Sequence, residues 1–173
     1  MKVSTQRLTM SLITEGDWSL FVSLHTNPQV IQLCFDTPDE TVLKSKFESR
    51  LTPWEANSNT WLCMVIIDKL SGQKMGVTGF HLEDGIAEVG YLLLPEFHGK
   101  SYGTESLSGL MEWAYLEHGI AHYKAVVTEG NIASERVLGK CGFHLDMIIP
   151  EAHMIGGKTY SDHIYFRKIE TYK

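Results

Sequence analysis

Cysteine is scarce in this sequence. Cys34, Cys63 and Cys141 make an odd count at wide spacing. That pattern excludes a CxxC dithiol or zinc knuckle and implies free thiols in a reducing compartment. Long apolar runs are missing as well. No window reaches the roughly 18 uninterrupted apolar residues of a membrane span, and Met1 to Met10 has no apolar segment of a secretory leader. A cytoplasmic protein with no membrane partner is expected. Positive charge is in deficit: 15 Lys and Arg stand against 21 Asp and Glu, a formal net charge of -6. A nucleic-acid binder needs a basic face to neutralise phosphates, so no direct nucleic-acid partner is expected. An acidic field instead concentrates cations. Repeats, low-complexity tracts and Pro, Gly or Ser linkers are absent, so residues 1–173 are expected to form one domain, as a monomer or homodimer. His118 and His122 stand at helical spacing, but Gly119 interrupts them and no carboxylate completes a zincin pattern, so no metal is expected.

What is present is a globular composition, 43% hydrophobic and 21% charged. Gln6 to Leu12 alternates as a strand; Thr14, with Asp17 three residues on, caps a helix predicted to reach about His25. Asn27-Pro28 starts a short helix, and Val42, Leu43, Phe47 and Leu51 give helical spacing over Asp39 to Leu51. Thr60 to Asp68, Lys74 to Leu82 and Ile86 to Leu94 then form a meander, joined by turn chemistry at Leu70–Gln73 and Asp84-Gly85 and ended by Pro95. A helix over Gly103 to His118 capped by Gly119, a strand over Ala121 to Thr128, a helix over Asn131 to Lys140 and a strand over Phe143 to Ile149 follow. Gly156-Gly157 turns the chain into a last strand, Tyr160 to Lys168. This order is mixed α/β with one βαβ crossover.

The most informative segment is Glu88 to Glu105, EVGYLLLPEFHGKSYGTE. A strand ends at Pro95 and a short glycine-bearing loop, His98 to Thr104, opens directly into a helix. A helix N-terminus carries unpaired N–H groups and partial positive charge, and glycines let an anion approach them. Lys100 adds a cation. A nucleotide P-loop is excluded because the glycine it needs five residues before Gly99 is Leu94. A plain tight turn before a helix is the alternative reading.

The segment resembles the acetyl-CoA signature of the GNAT superfamily, Arg/Gln-x-x-Gly-x-Gly/Ala. His98 stands at the Arg/Gln position, Ser101 at the first Gly and Gly103 at the second, so two of the three positions depart from the pattern. Glu88-Val89-Gly90-Tyr91, Pro95-Glu96-Phe97 and Tyr102-Gly103-Thr104-Glu105 resemble the ribosomal-protein N-terminal acetyltransferase-like branch. So do Thr5-Gln6-Arg7-Leu8, Asn27-Pro28-Gln29-Val30, the Asn131-x-x-Ser134…Leu138…Gly142-Phe143 block and Tyr160 to Tyr165, in register over nearly the whole chain.

The resemblance implies a GNAT-like fold: a mostly antiparallel twisted sheet of about seven strands with a splayed parallel pair, flanked by about four helices. It implies acetyl-CoA as cosubstrate. Tyr91, Leu92 and Leu93 would offer backbone to the pantetheine arm, and His98, Gly99, Lys100, Ser101, Tyr102, Gly103 and Thr104 would take the pyrophosphate. Asn131 and Ser134 would lie near the thioester. The tyrosine that many members place seven residues after the Asn is replaced by Leu138, which leaves Ser134 as the candidate donor to the departing thiolate. Asn131 also reads as a helix cap, and Ser134 as a helix-interior serine bonded to its own backbone. The amine's proton needs an acceptor. Glu88 is the first candidate, directly or through water, against a cross-strand ion pair. His153 and Glu151 come second. The expected activity is acetyl transfer to a primary amine, foremost a protein or peptide α-amine. A polyamine or aminoglycoside acceptor is an alternative, and a non-catalytic acyl-CoA-binding module is another. Acceptor choice is expected in residues 27–59 and 153–158.

Overall fold

The structure, a computed structural model, describes residues 1–170. In chain order it has β1 (Lys2–Ser4), β2 (Leu8–Leu12), α1 (Trp18–Thr26), α2 (Pro28–Ile31), α3 (Glu40–Arg50), β3 (Trp61–Asp68), β4 (Lys74–Glu83) and β5 (Ile86–Leu93). It continues with α4 (Tyr102–His118), β6 (His122–Thr128), α5 (Ile132–Lys140), β7 (His144–Ile155) and β8 (Lys158–Lys168). The strands form one sheet in the order β1-β2-β3-β4-β5-β6-β8-β7, with β5 and β6 parallel and every other neighbouring pair antiparallel.

The expected class holds, with eight strands rather than about seven and five α-helices rather than about four. The extra strand is β1, three residues too short to show an alternation. Thr5 turns the chain into β2, its N–H bonded to the Leu8 carbonyl at 2.9 Å. β7 runs past Ile149 to Ile155. Pro150 reads as a strand end because it lacks a ladder donor, yet β7 is an edge strand and passes Pro150 in a bulge between Ile149 and His153.

The sheet is covered on both faces, and β3 shows how. Leu62, Met64 and Ile66 pack with Leu107, Leu110, Met111 and Ala114 of α4, whereas Cys63 and Val65 pack with Phe21 and Leu24 of α1 and Leu43 and Phe47 of α3. Period-two alternation therefore feeds two cores, and the strand reads as a continuous apolar run. The same parity governs β5: Ala87 and Val89 join the α4 core and Leu92 the α1–α3 core. No helix among the described residues is long and apolar enough to cross a membrane.

Neighbouring strands close tightly on Gly79, where a Cβ would stand 1.7 Å from the Leu62 carbonyl oxygen. Backbone atoms cannot rotate away, so Gly79→Ala is expected to cost about 3 kcal/mol or more, read as a lower denaturation midpoint with an unchanged slope.

Candidate active site

β5 and β6 pair only at Ile86–His122, Ala87–Tyr123 and Glu88–Lys124. Beyond Glu88 the two strands part. β5 stays paired on its other side to Leu93, opposite Gly76, and β6 stays paired to β8 through Thr128. The inner edge of β5 from Val89 onward is left without a ladder partner among the described residues, a row of backbone donors and acceptors open to a ligand.

The gap opens into a cavity of about 600 Å³. Tyr91, Leu92 and Leu93 line one side. His98, Gly99, Ser101, Tyr102, Gly103 and Thr104 line its end, and Asn131 and Ser134 face them. Eleven of the residues singled out in the sequence thus line one cavity. Lys100 does not line it; its carbonyl accepts from Arg7 Nη1 at 3.0 Å. Glu88 and His153 do not line it either.

The loop end presents uncapped backbone amides, the chemistry that suits an anion. Gly99 (φ 72°) and Ser101 (φ 64°) both adopt the left-handed region, and a Cβ at Gly99 would meet nothing within 4 Å. Ser101 thus takes the backbone conformation that its glycine position demands, at a cost for a side-chain-bearing residue. No side chain caps α4, and its first intrahelical bond runs from Glu105 N–H to Ser101 O. The preceding amides are left to a ligand. A Cβ on Gly103 would touch Val137 at 3.3 Å, so the N-terminus of α4 sits close against α5. His98 donates from Nε2 to the Leu93 carbonyl at 2.7 Å, tying the loop to the end of β5.

Arg7 and Glu105 fix this loop from behind. Glu105 accepts from Thr5 Oγ1 and Arg7 N–H at 2.7 Å each and from Arg7 Nε at 2.6 Å, while the guanidinium lies 4.3 Å from the centre of the Tyr102 ring. Burial pushes the Glu105 carboxyl up, but the Thr5 and Arg7 hydrogen bonds and the Arg7 charge outweigh it and hold it below its ordinary range.

On the facing helix, Asn131 caps α5, its Oδ1 accepting from Ser134 N–H at 3.3 Å, and it also faces the cavity. The Ser134 hydroxyl has no hydrogen-bond partner among the described residues; Tyr91 OH lies 3.5 Å from the Ser134 carbonyl. Burial pushes the Tyr91 phenol up to about 12, which keeps it a neutral donor. Glu88 stands at the vertex of the gap. By strand parity it lies on the α1–α3 face with Leu92, and no ion pair with its neighbour Lys124 forms among the described residues.

Two features went unread in the sequence, the cations of α5 and a link between two distant loops. Arg136 and Lys140 of α5 line the cavity and supply cations at i, i+4 spacing that looks like an ordinary solvated helix face. Gln29, Val30, Gln32, Leu33 and Cys34, in and after α2, also line the cavity, inside the 27–59 segment expected to bear on acceptor choice. Asp36 Oδ1 accepts from Gly156 N–H at 2.7 Å, so the α2 loop and the β7–β8 turn are joined.

Comparison with known proteins agrees with this architecture. The model of the acetyltransferase (GNAT) domain family matches residues 7–144. The Bacillus subtilis (strain 168) protein named "Uncharacterized N-acetyltransferase YoaA" is 29% identical over 94 residues, 53% of this chain and 53% of that protein. The match thus spans about half the length of that curated relative. Among solved structures, the ribosomal L7/L12 α-N-protein acetyltransferase RimL in complex with coenzyme A superposes at TM-score 0.84, with 19% identity and 98% of each chain covered. The spermidine N-acetyltransferase of Vibrio cholerae with CoA and spermine gives TM-score 0.81 at 16% identity, covering 95% of this chain and 96% of that one.

Two expectations follow from the loop. Ser101→Gly removes the left-handed penalty and is expected to raise stability by about 1 kcal/mol. Glu105, ionised more readily when folded, contributes stability above its unfolded pKa that is lost as pH falls through its depressed folded value. Glu105→Gln is expected to flatten that acid limb in pH-dependent denaturation curves.

Proposed function

We infer, for a chain that belongs to the GNAT acetyltransferase family, that it binds acetyl-CoA in the gap between β5 and β6 and transfers the acetyl group to a primary amine by direct attack in a ternary complex. The observation that carries this is the open edge of β5 leading straight into an uncapped helix N-terminus with left-handed Gly99 and Ser101. The residues fit the cosubstrate. Amides of the 99–104 loop suit the pyrophosphate, Arg136 and Lys140 add positive charge, and Tyr91 to Leu93 offer backbone to the pantetheine arm. RimL and the spermidine enzyme were both solved with CoA.

Ser134 donates its unpaired hydroxyl to the departing thiolate, the role Leu138 cannot fill. Glu88, a carboxylate without an ion-pair partner at the vertex, meets the incoming ammonium as its counter-charge. Exposed Val126 of β6 and Met147 of β7 flank Ile164 of β8, with exposed Ile149 two residues beyond Met147. Such a strip suits the side chains of a peptide better than a polyamine, which calls for several carboxylates. The acceptor is therefore read as a protein or peptide N-terminal α-amine.

Thiol release from acetyl-CoA across N-terminal peptides, polyamines and aminoglycosides tests the reading, with hydrolysis subtracted. Release is expected with peptides. Acetyl-CoA binding without release on any amine would instead favour the non-catalytic module. Ser134→Ala is expected to lower kcat by about 10²-fold with acetyl-CoA Kd unchanged. Glu88→Gln is expected to raise the KM of the amine about tenfold.

A further inference from the structure

At the end of β6, where the gap is widest, an imidazole stands between a carboxylate and a hydroxyl. His153 Nδ1 is 2.9 Å from Asp162 Oδ1, and its Nε2 is 3.2 Å from Thr128 Oγ1. The carboxylate only accepts, so Nδ1 carries the proton and Nε2 of the neutral ring accepts from the Thr128 hydroxyl. This geometry has an identifiable cause. Register jumps from Ile149–Asp162 to His153–Tyr160, and the intervening bulge holds Glu151 at φ 49°, a left-handed conformation disfavoured for glutamate. The bulge re-aims His153 across β8 toward β6. Thr128 is itself bound to the cavity loop, its carbonyl accepting from Asn131 N–H at 3.0 Å. Gly130 and Asn131 line the cavity. The far end of the chain of bonds reaches solvent: the side chains of His153 and Asp162 are 29% and 21% exposed.

We propose that Thr128, His153 and Asp162 form the path that takes the proton from the acceptor amine, with His153 as proton acceptor, Thr128 as relay and Asp162 as positioning residue. This rests on the acetyl-transfer reading above. The Thr128 oxygen accepts a proton from the ammonium while passing its own to His153 Nε2, and Asp162 stabilises the imidazolium. The freed nitrogen lone pair forms the C–N bond to the acetyl carbon. The C–S bond breaks with its electrons on sulfur, which takes the second nitrogen proton by way of the Ser134 hydroxyl. His153 then returns its proton to water. The imidazole already accepts from the Thr128 hydroxyl through Nε2, a contact that the vertex carboxylate Glu88 does not make among the described residues. The other groups around His153 are Tyr160, whose ring stacks on it at 6.3 Å, Lys158 over that ring, Glu151 on the same strand and Glu129 following Thr128.

The test is the pH profile of kcat from about pH 6 to about pH 9, with acetyl-CoA and a short peptide bearing a free N-terminal serine, or spermidine if only that is acetylated. His153→Gln is expected to lower kcat by about 10²-fold and to abolish the rising acid limb, with acetyl-CoA Kd unchanged. Asp162→Asn removes the charge that favours imidazolium, so the limb should move to lower pH as kcat falls. Thr128→Val is expected to lower kcat about tenfold, and Thr128→Ser to restore it. Retention of kcat and of the acid limb in His153→Gln overturns the proposal, as does a limb that stays in place in Asp162→Asn. Loss of acetyl-CoA binding in His153→Gln would assign the residue to structure and overturn it too. Absence of transfer by the wild-type protein on every amine overturns the parent reading and, with it, this one; loss confined to the variants separates the two.

Discussion

Everything at the candidate site depends on a ladder that stops early. β5 makes eight residue pairs with β4, β6 makes seven with β8, and between them there are three. Each strand is thus secured along its outer edge while its inner edge is released. Backbone groups exposed this way are costly when buried and useful when a ligand completes them. The β5–α4–β6 crossover brings the N-terminus of α4 to the mouth of the gap, so the open strand edge and the uncapped helix N-terminus are adjoining parts of one motif.

The loop that opens α4 is held by ordinary surface chemistry. Arg7 ties Glu105, the Lys100 carbonyl and the Tyr102 ring together, and His98 clips the loop to Leu93. His98 and Ser101 depart from the family signature in side chain, yet the backbone conformations are those a glycine-bearing cradle needs. The departures are absorbed locally, by a ring that bonds inward and a small residue held in the left-handed region at a cost.

Much of this was legible from residue pattern. The change from helical to two-residue period located the meander, and the glycines of the 99–103 segment marked the loop that opens α4 and lines the cavity. What escaped had physical reasons. β1 is shorter than any period, and β7 passes through a proline only because it lies at an edge. Asp162 sat in a closing strand where an acidic residue signals solvent, and only the bulge at Glu151 turns His153 onto it. Arg136 and Lys140 were hidden by being cations on a helix, and which way a helix faces is a tertiary fact.

The hydrogen bond from Gly156 to Asp36 joins a loop in the first quarter of the chain to a hairpin near its end. The segment after α2 and the β7–β8 turn are therefore a single mechanical part encoded in two places. Changes in the length of either segment would have to be matched in the other to keep this hydrogen bond. Exchanging the C-terminal half of this chain for another would separate its two partners, so an exchange that preserves the clasp has to carry both segments together.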